Sequence, residues 1–140
     1  MKKMFATTSV IVMGLLLAGC SGTSGLSSSI ERAIDQSDTT LELSSLVSGD
    51  VTGFLVVCPY ESRDSVADRL GFDWPDGPDY AAVEDRQTIA FIEDDTITSQ
   101  AELSRHEIDF CGSGKWEVLP VDTTLAVARS GGSTRISTAE

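Results

Sequence analysis

The sequence is short of positive charge, of histidine and of large aromatic side chains, and each shortage removes a class of function. Ten Lys and Arg stand against 22 Asp and Glu, a formal net charge of −12. A surface this acidic repels nucleic-acid phosphates and anionic lipid head groups, so nucleic acid is not an expected partner. His106 is the only histidine. A histidine-based triad therefore has one candidate base, and no Gly-x-Ser-x-Gly elbow supplies its nucleophile. His106 is read as a surface residue. With two Trp and two Tyr in the whole chain, Trp74, Tyr80 and Trp116 are assigned to a hydrophobic core before any binding groove. Residues 4–18 are apolar or small and uncharged, but too few and too diluted by Ser and Thr to span a bilayer. No internal repeat is visible.

What is present begins at the N-terminus. Lys2 and Lys3 precede the uncharged stretch, which ends in Leu16-Leu17-Ala18-Gly19-Cys20 and runs on into Ser21-Gly22-Thr23-Ser24-Gly25. A positive start, an apolar middle and small residues at the end make residues 1–19 a signal peptide. Leu17-Ala18-Gly19-Cys20 resembles the lipobox of bacterial lipoproteins. The resemblance implies a diacylglycerol on the Cys20 sulfur and cleavage before it. It also implies a protein held through lipid at the extracytoplasmic side of a membrane, in the cell envelope. Several acyl chains, at about 0.8 kcal/mol per buried methylene, anchor a protein without a spanning helix. Removal of residues 1–19 takes two of the ten basic residues and no acid, leaving eight against 22. Residues 20–29 read as the lipidated cysteine and a flexible Ser/Gly tether with a reach of about 15–18 Å.

Two cysteines remain, Cys58 and Cys111. A single pair in an exported chain is expected to form a disulfide.

Residues 30–129 read as one domain. Ser28 and Glu31 have the spacing of a capping box for a short helix that carries Ile30, Ala33 and Ile34 on one face. Residues 40–43 alternate as a short strand. Phe54-Leu55-Val56-Val57 is apolar throughout, the pattern of a strand covered on both faces. Ser62 is placed to cap a helix through Leu70, with Asp64 in its first turn and Gly71 at its end. Further strands are expected at residues 88–92, 96–98, 107–110, 116–120 and 124–128, and a disordered tail at 130–140. One strand and a helix followed by strands alone predict an α+β fold, a small antiparallel sheet with one or two helices packed on one face.

Between Val51 and Phe110 the order of features is similar to that of a group of small bacterial lipoproteins of uncharacterised function. Their apolar strand ends in Pro-Tyr and is followed by a helix and by Leu-Gly-x-x-Trp. A second apolar strand, an acidic turn and a closing Asp-Phe complete the pattern. The matching residues here are Val56-Val57-Cys58-Pro59-Tyr60, Leu70-Gly71-Phe72-Asp73-Trp74, Ile89-Ala90-Phe91-Ile92, Asp94-Asp95 and Asp109-Phe110. Asp95 stands where a turn glycine is expected, and the cysteine pair is an addition. The resemblance implies an extracytoplasmic accessory domain and brings no catalytic residues and no cofactor.

Three constellations carry chemical alternatives. Cys58-Pro59-Tyr60-Glu61 resembles the Cys-Pro-Tyr-Cys loop of glutaredoxins with Glu61 in place of the second cysteine, which makes a thiol-redox protein using Cys58 the enzymatic alternative. Asp73, Asp76 and Asp79 near Gly77 resemble a calcium loop, the basis for an acidic metal- or solute-binding alternative. Their spacing, with Pro75 and Pro78 between them, fits a solvated acidic loop better. Gly112-Ser113-Gly114-Lys115 lacks the spacer of a phosphate loop and reads as a turn. The leading expectation is a lipid-anchored envelope protein with a non-enzymatic binding or accessory domain, its partner another envelope protein or a small exported ligand.

Overall fold

The computed structural model describes residues 23–139. Residues 1–19, expected to be a signal peptide, and Cys20, the expected site of lipidation, lie outside the described residues.

The first helix, α1 (Thr23–Gln36), repeats apolar residues at Leu26, Ile30 and Ile34, one per turn along a single stripe. Ile30 and Ile34 are fully buried and Leu26 packs against the same core. From Thr23 on, this corrects the expectation of a flexible tether over 20–29, and it corrects that of a cap at Ser28, which lies in the helix interior. Ser and Gly favour coil locally, but an apolar stripe with a surface to cover overrides weak propensity. The serines join in: the Ser29 hydroxyl donates to Gly25 O at 2.9 Å and that of Ser27 to Glu102 O at 3.0 Å.

A short strand β1 (Thr40–Glu42) and a 3₁₀ turn (Leu43–Leu46) lead to β2 (Gly53–Val57), buried at every position as its composition requires. The next helix, α2 (Arg63–Leu70), starts at Ser62, whose hydroxyl accepts from Ser65 N at 3.2 Å, and ends at Gly71 in the left-handed region with φ +78°. After a loop come β3 (Arg86–Glu93), a turn at Asp94-Asp95, and β4 (Thr96–Ser104). The chain finishes with β5 (Ile108–Asp109), a 3₁₀ turn (Cys111–Ser113), β6 (Leu119–Pro120), β7 (Thr124–Ser130) and β8 (Ser133–Thr138).

The fold is α+β. The strands form two four-stranded sheets and not one small one, in the orders β4-β3-β2-β6 and β1-β7-β8-β5. All pairs are antiparallel except β5 with β8. The expected disordered tail at 130–140 is corrected by β8, which pairs with β7 from Ser130↔Ser133 to Leu125↔Thr138 and buries Ile136 completely. Gly131 and Gly132, at φ +59° and +84°, supply the two-residue turn that a tight hairpin needs. Between the sheets, the buried Gln87 amide of β3 donates to Ile108 O at 2.7 Å and accepts from Phe110 N at 3.0 Å. Phe54, Phe110 and Trp116 pack as tilted rings with centroids 6.0–6.1 Å apart, and Trp116 Nε1 donates to Phe110 O at 2.7 Å.

Candidate functional site

The turn from β2 into α2 gathers the least ordinary chemistry of the described residues. β2 ends at Val57, and Cys58 forms the disulfide with Cys111 of the 3₁₀ turn, with Cα atoms 5.7 Å apart. Pro59 follows, and then Tyr60 adopts φ +65°, a conformation that costs an L-residue with a large side chain about 1–2 kcal/mol. Backbone bonds on both sides hold it there: Tyr60 N donates to Tyr80 O at 2.8 Å, and Tyr80 N to Glu61 O at 2.9 Å. The bent backbone turns the Tyr60 ring outward, where it is 62% exposed. Its hydroxyl donates to Glu84 Oε1 at 2.6 Å, and that bond holds the phenol proton above its ordinary pKa.

Glu61 turns the other way and is 1% exposed. Its Oε2 accepts from Cys58 N at 2.7 Å, closing the turn from within. Its Oε1 lies 2.6 Å from Arg69 Nη2 and 3.9 Å from Lys115 Nζ. The Arg69 approach is an ion pair without hydrogen-bond alignment, so Oε1, Nε and Nη2 are buried with charge attraction alone. Arg69 Nη1 also donates to Trp116 O. A buried pair of this kind fixes geometry more than it adds stability, because desolvation consumes most of the attraction. It ties α2 to the segment after the second cysteine, while the disulfide ties that segment to β2.

Glu61 therefore fills the second-cysteine position of the glutaredoxin-like pattern as a structural carboxylate, and Cys58 is bonded 53 residues away. Asp73, Asp76 and Asp79 are all exposed. The Asp79 carboxylate accepts from Ala81 N at 3.2 Å, and among the described residues no three His, Cys, Asp or Glu are placed to share a metal ion. Asp76 instead borders a cleft of about 330 Å³ with Pro78, Thr88, Gln100 and Glu102. At that cleft the buried Tyr80 hydroxyl donates to Glu102 Oε2 at 2.9 Å and accepts from Thr88 Oγ1 at 2.8 Å. Burial pushes the Tyr80 pKa up to about 12, with the Thr88 bond opposing and Glu102 adding to the rise. Trp74, Tyr80 and Trp116 are buried core residues, and His106 is exposed. Gly112 and Ser113 belong to the 3₁₀ turn (Cys111–Ser113), and no regular structure follows until β6.

Sequence reasoning missed the Glu61–Arg69 pair and the left-handed Tyr60. Eight positions separate the pair, and nothing local marks either feature. No family model, no curated protein and no solved structure matches this chain.

Proposed function

We propose that this chain is a lipid-anchored protein of the cell envelope whose α+β domain binds another envelope protein and catalyses no reaction. The observation that carries the reading is Leu17-Ala18-Gly19-Cys20 behind an uncharged stretch and two lysines. The domain adds a contact surface. Tyr60 is a large side chain held outward on a strained backbone, and residues kept in such conformations cluster at functional sites, ligand clamps among them. An aromatic ring with a polar tip beside the Glu84 carboxylate and near the Arg105 cation suits the rim and centre of a protein interface.

The test is crosslinking in intact cells followed by purification through a C-terminal tag, with three variants. Cys20→Ala should abolish incorporation of radiolabelled palmitate and release the protein from the membrane fraction. Deletion of the domain with the anchor kept should lose one stoichiometric partner. Tyr60→Gly should lose it too, without lowering the melting temperature, because glycine relieves the left-handed strain. Palmitate labelling that persists in Cys20→Ala, or the absence of any partner under several crosslinkers, would overturn the anchor or the binding half of the reading respectively.

A further inference from the structure

If Cys20 carries the lipid, α1 changes what the anchor does. Only three peptide links separate Cys20 from Thr23, where α1 begins, and three residues fully extended span about 11 Å. A domain of about 115 residues has a radius of gyration of about 13 Å. The leash is thus shorter than the domain's own radius. It also ends on a helix that cannot swing away, because Ile30 and Ile34 are fully buried and Ser27 is bonded to Glu102 of β4.

The surface at that end of α1 has an unusual composition for this chain. A shallow depression of about 480 Å³ lies between the first turns of the helix, the segment after the first 3₁₀ turn, and β4. Its lining is Gly25, Leu26, Ser29, Val47, Ser48, Thr98 and Ser99, with no charged side chain. In a protein whose acids outnumber its bases by 22 to 10, the depression has no carboxylate in its lining, and the Glu93 carboxylate stands beside it against Gly49. Asp50 and the Asp94-Asp95 turn border it in sequence, so the face contributes orientation and the acyl chains contribute affinity.

We infer that the face formed by the first turns of α1, Val47-Ser48 and Thr98-Ser99 rests on the lipid surface and holds the domain in one orientation. The inference rests on the lipid-anchor reading. Ala82 lies in the loop leading into the start of β3, at the far end of that strand from the β3–β4 turn, and Tyr60 is bonded to Glu84 of the same loop. The docked domain therefore presents Tyr60 away from the bilayer.

The experiment uses the full lipidated chain, disulfide intact, in vesicles of phosphatidylethanolamine and phosphatidylcholine with nitroxide on the head groups. A fluorophore is placed at exposed positions through Ser48→Cys or Ala82→Cys. Quenching should be several-fold stronger at position 48 than at 82, and a flexible Gly/Ser insertion between Gly22 and Thr23 should erase the contrast. Flotation with the vesicles but equal quenching at the two positions overturns the fixed orientation while the anchor stands. A contrast that survives the insertion overturns the short leash as its cause. Failure to float, with no acyl chain on Cys20, overturns both readings.

Discussion

Two side chains report their surroundings through protons. Asp109 is partly buried, which by itself would raise its pKa, yet the Arg105 hydrogen bonds, the Cys111 N–H and the Arg105 and Arg135 charges outweigh burial and hold the carboxyl below its ordinary value. A depressed carboxyl stabilises the fold above its unfolded pKa, about 3.9, and that contribution is lost as pH falls through the folded value. Asp109→Asn should cost about 1–2 kcal/mol at neutral pH, since the pair is partly exposed. In urea titrations its deficit against the parent chain should shrink as the pH is taken below 4. Tyr80 gives the opposite limb. Its folded pKa of about 12 exceeds the unfolded value of 10.0, so the stability it confers is complete below pH 10 and drains away between 10 and 12. Ultraviolet titration should show two tyrosines ionising above pH 10, with Tyr80 the later, and Tyr80→Phe should flatten the alkaline loss of stability.

Among the elements, β8 is the most informative. Ile136 is its one fully buried apolar side chain, and Ile136→Ala should destabilise the protein by about 2–5 kcal/mol, measured as a lower urea midpoint at unchanged slope. The same strand marks a limit of sequence reading. β2, α2 and β3 were legible because their signals are local: a four-residue apolar run, a serine cap with a glycine stop, and a second apolar run before three acids. β8 holds one apolar residue among Ser, Thr and Arg, and its place is decided by β7 and β5. Its readable sign was Gly131-Gly132, a two-residue turn between Val127 and Ile136, which pair across it. The first two turns of α1 were obscured in the same way, since their serines and glycines favour coil and one contact that holds them reaches 75 residues ahead to Glu102. At the candidate site the disulfide followed from counting cysteines. The Glu61–Arg69 pair did not, because it exists only once α2 has carried Arg69 back over the turn.

For the molecule as a whole, the Cys58–Cys111 bond closes a loop of 53 residues that includes α2, β3, β4 and β5. Loop-closure entropy assigns such a bridge about 4 kcal/mol, a large part of the stability of a domain this size. Reduction under native conditions should lower the unfolding free energy by that order, and the Cys58→Ser, Cys111→Ser double variant should match the reduced protein. Both should loosen the segment carrying Lys115 and Trp116, visible as a red shift and gain of quencher access in the fluorescence of Trp116.

The strand order β1-β7-β8-β5 has a consequence in time. β1 bonds only to β7 and β5 only to β8 within their sheet, so two early strands wait for the last two. A chain that emerges N-terminus first cannot complete this sheet until residue 138 is out. β1 and β5 therefore stay unpaired in this sheet until the last hairpin forms, and the sheet closes late, through contacts far apart in sequence that are slow to form.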